Sequence, residues 1–88
     1  MYSVYILYSE KDGQLYVGCT SDIENRIQRH NSGQVMATAA RRPLICIHTE
    51  TYLSKTEAFN RERFFKTLWS SRFKNKIKKE YLSNKQSK

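Results

Sequence analysis

The sequence predicts a small α+β domain in which helices flank a three-stranded antiparallel sheet, in the order β-β-α-β-α-α. Three observations predict it. Near the N-terminus two runs alternate with period two across a Gly-containing turn, the signature of a hairpin. Two Ser-x-x-Glu boxes each precede residues with helical apolar spacing. Between those helices lies a third run rich in β-branched residues.

In the first run Tyr2, Val4, Ile6 and Tyr8 share one face, with Ser3, Tyr5, Leu7 and Ser9 on the other. After the polar turn Glu10-Lys11-Asp12-Gly13, alternation resumes over Gln14-Leu15-Tyr16-Val17-Gly18-Cys19. A two-residue and a four-residue loop both place Tyr5 and Leu7 on the sheet face of Tyr16 and Gly18, because a register shift of two keeps facing parity. Two tyrosines therefore point into one space.

Ser21-Asp22-Ile23-Glu24 reads as a capping box with Ser21 as N-cap, and Asn31-Ser32-Gly33 as the stop. Ile23 and Ile27 form the apolar seam of this helix, with Arg26 and His30 one turn apart beside it. Gln34 to Pro43 reads as a loop carrying Arg41 and Arg42, and the third strand runs from Leu44 to about Thr51. Ser54 opens the second helix, on which Ala58, Glu62, Phe65 and Trp69 fall on one core-facing side. A carboxylate there is either paired, metal-bound or badly placed. Phe73, Ile77 and Tyr81 space a third, basic helix. Phe64 and Leu68 are left on an exposed helix face.

Eighty-eight residues make one domain, expected to span 1–82, with Ser83 to Lys88 as a fraying basic tail. Sixteen Lys and Arg against eight Asp and Glu give a net charge of +8. Ten of those bases lie from Arg61 onward, against only Glu62 and Glu80, a distribution suited to a polyanion. Cys19 and Cys46 lack zinc-ligand spacing and read as buried, reduced thiols. No apolar run reaches membrane-spanning length, so the expected location is cytoplasmic.

Val4-Tyr5-Ile6, followed by Tyr16-Val17-Gly18, resembles the two-part motif of the GIY-YIG nucleases, with Val4 for the first Gly and Val17 for Ile. Arg26, His30 and Glu62 match the family's helix arginine, its His or Tyr one turn later, and its metal-binding glutamate. Further likeness to the small single-domain bacterial branch, which is similar to the N-terminal part of a repair excinuclease, lies in His30-Asn31-Ser32-Gly33, Arg41-Arg42-Pro43 and Ala58 through Lys66. Two features depart: Asn75 only approximates the family's Asn near the last helix, and Leu68-Trp69-Ser70-Ser71 replaces a glycine-rich turn.

The resemblance implies a metal-dependent endonuclease acting on DNA, with RNA not excluded, and links the chain to DNA repair. Glu62 would hold one Mg²⁺ or Mn²⁺, since such an ion keeps several waters and can accept a single carboxylate. Arg26 would meet the scissile phosphate with its planar fork. Tyr5 is the expected base, Tyr16 its orienting partner and His30 a proton acceptor, although the roles of the tyrosines remain interchangeable at this level. Gly18 would let phosphate or helix approach, while Arg41, Arg42, Arg63, Lys66, Arg72, Lys74 and Lys76 would contact the backbone. His48 reads as an ordinary strand residue. No reading helix or finger is evident, so target choice would be structure-directed or supplied by a partner protein. The competing accounts are a catalytically weak or inactive nucleic-acid-binding module of the same fold and a protein-protein adaptor.

Overall fold

The computed structural model describes residues 1–86, with no account of the Gln86 side chain. Strands β1 (Tyr2–Ser9) and β2 (Leu15–Thr20) form the hairpin, followed by α1 (Ile23–Asn31), a one-turn α2 (Met36–Ala39), β3 (Leu44–Tyr52), α3 (Lys55–Phe65) and α4 (Ser71–Gln86). A 3₁₀ turn at Leu68–Ser70 separates the last two helices. The sheet is antiparallel in the order β2-β1-β3, so β1 is central. The expected α+β order holds.

The hairpin turns where Gly13 adopts φ +72°, a left-handed conformation that glycine enters without steric cost. Its N–H donates to the Ser9 carbonyl at 2.8 Å, and Asp12 accepts from the Gln14 N–H at 2.9 Å. The resulting register pairs Tyr5 with Gly18 and Leu7 with Tyr16, which keeps the expected facing. On the other side β1 pairs with β3 through a shift between Ile6 and Leu7.

Central β1 is sealed on both faces. Val4 and Ile6 pack with Val17, Ala58 and Phe65 on the side covered by α3 and α4. Tyr5 and Leu7 pack with Leu44, Tyr16, Ile23, Ile27 and Cys46 on the side covered by α1. The domain is thus a sheet sandwiched between helical layers. Val4 through Leu7 are wholly buried, so their apolar surface is removed from water.

Four local expectations change. Asp22, not Ser21, caps α1: its carboxylate accepts from the Asn25 N–H at 3.2 Å, while the Thr20 hydroxyl accepts from the Asp22 N–H. Part of the presumed loop from Gln34 to Pro43 winds into α2. Helix α3 stops at Phe65, which throws Trp69 out of the core-facing stripe to 88% exposure. Helix α4 continues to Gln86, beyond the expected boundary at 82, and the last two residues of the presumed tail lie outside the described residues. Ser54 caps α3 as expected, accepting from the Glu57 N–H. No helix among the described residues is long and apolar enough to cross a membrane.

Candidate active site

The Tyr5 ring crosses over Gly18 on the neighbouring strand. A Cβ at Gly18 would collide with the Tyr5 hydroxyl and ring, so what the missing side chain admits is tyrosine rather than an incoming phosphate or helix. Tyr5 and His30 are both wholly buried. The Tyr5 hydroxyl lies 2.9 Å from His30 Nε2, and the Tyr16 ring meets the same imidazole edge-on with centroids 5.1 Å apart. His30 therefore sits between the two motif tyrosines.

The other imidazole nitrogen identifies a residue that sequence reading missed. His30 Nδ1 lies 2.7 Å from the Thr38 hydroxyl, itself wholly buried and 3.5 Å from the Val35 carbonyl. Arg26 can only donate to the Tyr5 oxygen, so the phenol O–H is left to donate to Nε2, which places the ring proton on Nδ1 toward the Thr38 hydroxyl. The hydrogen-bond chain thus runs from the phenol through the imidazole to the threonine. Its only sequence signal was a small polar residue in a presumed loop.

Arg26 lies against the same hydroxyl. Burial raises the Tyr5 phenol above its ordinary range, while hydrogen bonding from Arg26 pulls it down, and the charges of Tyr16 and Glu62 add to the rise. Burial and the Arg26 charge push His30 below its usual value, so at neutrality it is an uncharged acceptor rather than a group poised at 6.5. Arg26 Nε is buried with no hydrogen-bond partner among the described residues. Such a donor is costly unless something completes it. Arg26 also lines a cavity of about 270 Å³ with Tyr2, Cys19, Thr20, Ser21, Lys55 and Phe59, beside edge strand β2.

Glu62 approaches from α3, in the layer opposite the Tyr5 ring. Its charge reaches both the Tyr5 phenol and the Cys19 thiol, raising each. Its ion pair is with Lys66, one turn on, at 3.0 Å, rather than with Arg26. The cluster therefore brings Tyr5, Tyr16, Arg26 and His30 into contact and leaves Glu62 within electrostatic reach. Asn75 lies apart, on exposed α4 beside Gly13 and Leu15.

The other sequence-derived bases divide in two. Arg41 is tethered to Asp12 at 3.2 Å, and Arg42 donates to the Ala39 carbonyl at 2.8 Å, so both brace the turn before β3. Arg63, Lys66, Arg72 and Lys76 are exposed on the α3–α4 side, with Lys74 half-buried. His48 is more than a strand filler: it bonds the Glu50 carboxylate at 2.9 Å and packs against Phe65 and Phe73. Both cysteines are free but only half-buried, and burial raises both thiols.

Comparison with known proteins places this arrangement. The chain is 47% identical over 58 residues to a UPF0213 protein of Staphylococcus saprophyticus, covering 65% of this chain and 71% of that one. It is 39% identical over 69 residues to a UPF0213 protein of Halobacterium salinarum, covering 77% and 88% respectively. The solution NMR structure of the UPF0213 protein BH0048 from Bacillus halodurans superposes with a TM-score of 0.54 at 38% identity, covering 88% of this chain and 82% of that one. The family described as the GIY-YIG catalytic domain matches residues 1–86, and with the motif tyrosines meeting at His30 the chain belongs to that family.

Proposed function

We propose that the domain is a metal-dependent endonuclease that hydrolyses DNA phosphodiester bonds and selects its target by DNA structure rather than sequence. The observation that carries this reading is the relay from Tyr5 through His30 to Thr38, set beside an arginine whose buried Nε lacks a partner. Hydrolysis needs a proton removed from the attacking water and charge offset on the phosphorane. The Tyr5 oxygen takes the water proton as its own passes to His30 Nε2, and Arg26 meets the phosphate oxygens. Tyr16 holds the imidazole edge. The exposed bases of α3 and α4 position the backbone.

Glu62 fits a Mg²⁺ or Mn²⁺ ion as a hard oxygen donor whose ion-pair partner among the described residues is the exposed Lys66 on its own helix. No group of three or more His, Cys, Asp and Glu side chains converges among the described residues. A single carboxylate, completed by water and phosphate oxygens, does not require one. When bound, the ion would offset charge on the phosphate and the departing oxygen.

A second reading has specific support: the domain binds nucleic acid and cuts weakly or not at all. Full burial of Tyr5 and His30 favours it, as does the raised Tyr5 phenol, because substrate must open the cluster before chemistry. It is also the reading that asks least of the geometry. A partner protein could deliver either form to its target. Nicking of supercoiled and branched DNA with Mn²⁺ or with chelator, beside binding measured against salt, separates the two. Metal-dependent nicking supports the enzyme. Binding whose logarithm falls by roughly 0.9 per contacted phosphate per log unit of salt, without nicking, supports the binding module. A flat salt dependence sinks both.

A further inference from the structure

The turn between α3 and α4 breaks the usual rule for large apolar residues. Leu68 and Trp69 are 90% and 88% exposed, side by side on a three-residue 3₁₀ turn. Two such side chains on a floppy loop would mean little. This loop is pinned. The Thr67 hydroxyl donates to the Phe64 carbonyl at 2.6 Å, and the wholly buried Ser70 hydroxyl reaches the carbonyls of Phe65 at 3.0 Å and Thr67 at 2.8 Å. Beneath it Phe65 and Phe73 stack with centroids 5.5 Å apart, and the Arg61 guanidinium lies 4.5 Å from the Phe65 ring centre. The apolar pair is thus held outward on a rigid base.

The surroundings select the partner. No Asp or Glu occurs between Glu62 and Glu80, whereas Arg63, Lys66, Arg72, Lys74 and Lys76 flank the turn in sequence. Like charge opposes a second copy of the same surface. A polyanion is attracted. Duplex phosphates alone give an indole nothing to pack against, whereas an unpaired base offers a planar apolar face on a charged backbone. Resting on the nucleic-acid reading above, we infer that Leu68 and Trp69 form a stacking platform for unpaired DNA bases, so that frayed, forked or branched DNA is held in preference to blunt duplex. Leu68 packs against the edge of the stacked base, and the flanking lysines and arginines track its phosphates. The platform has no part in the proton transfers proposed for the Tyr5 cluster.

Trp69 is the sole tryptophan, so its emission reports the contact directly. The test titrates wild type with fluorescein-labelled oligothymidylate and with a blunt duplex at low salt, reading anisotropy and tryptophan emission together. Binding of the single strand should quench the emission. Trp69→Ala should weaken single-strand binding about tenfold, Trp69→Phe less than threefold, and neither should change blunt-duplex binding by more than about twofold. Thermal unfolding should be unaltered in both variants, since the side chain supports nothing beneath it. Anisotropy changes with unquenched emission, or an unaffected Trp69→Ala, would overturn the platform while leaving nucleic-acid binding intact. Absence of any anisotropy change would overturn both. A blue shift that grows with protein concentration in DNA-free solution would overturn the platform in favour of a second copy covering the turn.

Discussion

The Tyr5 hydroxyl lies 2.9 Å from His30 Nε2, and Thr38 gives that bond its direction by lying 2.7 Å from Nδ1. With Nδ1–H engaged, Nε2 faces the phenol as an acceptor. Thr38→Val keeps the shape and removes the acceptor, so both tautomers become populated. Nicking should fall about tenfold, by analogy with the partners that orient metal-bound histidines, and the pH dependence of the rate should shift. Thr38→Ser should restore both. Equal profiles for Val and Ser variants would make Thr38 a packing residue only.

Much of this cluster was legible because strand parity and helical spacing are local rules. Facing of Tyr5 with Tyr16, and of Arg26 with His30, follows from periods of two and about four without knowing the fold. Thr38 escaped because its role depends on a one-turn helix that no periodicity announces. Trp69 was misplaced for a related reason: the apolar spacing runs on past Phe65, but the chain leaves the helix there as the Thr67 and Ser70 hydroxyls take the free carbonyls. Helical spacing alone also left Glu62 open to pairing with Arg26. Arg26 does share a cavity with α3, but through Lys55 and Phe59 near the start of that helix, whereas Glu62 pairs with Lys66 one turn on.

Gly18 is tested through its neighbour. Because a Cβ there would overlap the buried Tyr5 ring rather than a flexible side-chain tip, Gly18→Ala must displace that ring or the strand. Destabilisation of about 1–3 kcal/mol is expected, together with loss of any nicking. Thermal unfolding checks it. An unchanged midpoint with intact activity would show that the ring yields freely.

Acid should weaken the fold in two windows. His30 is depressed below its ordinary value, so the folded state binds fewer protons than the unfolded chain and stability falls as pH drops below about 6.5. Glu50 is lowered from 4.5 to about 2; burial opposes ionisation, but hydrogen bonds from Arg61, His48 and Tyr52 overcome it. Its contribution is present above 4.5 and lost as pH falls toward 2. The displacement corresponds to about 3 kcal/mol at most. Glu50→Gln strands Arg61 and should cost a similar amount at pH 7, while flattening the lower window. Unfolding midpoints from pH 7 to 2.5 for both proteins decide it; parallel curves below pH 4.5 would remove Glu50 as the acid-sensitive group.

Glu62 separates the enzyme from the binding module. Among the described residues its carboxylate, 21% exposed, pairs with exposed Lys66 at i,i+4, a kind of pair worth about 0.3–0.5 kcal/mol, and not with Arg26. Glu62→Gln keeps the volume and removes the charge, so the metal-free unfolding midpoint should move by no more than about two degrees. If the carboxylate holds a metal at the scissile phosphate, the same change should lower Mn²⁺-dependent nicking about a hundredfold or more, since the ion supplies several kcal/mol to the transition state and each 1.36 kcal/mol is a factor of ten. DNA binding without metal should persist or tighten slightly, because a negative charge is removed and Lys66 is released toward phosphate. The binding-module reading expects the same stability and affinity with no rate to lose. Paired measurement of unfolding, binding and nicking on wild type and Glu62→Gln therefore distinguishes them: a variant that nicks at the wild-type rate would remove Glu62 from the chemistry and leave the Tyr5 cluster without its metal.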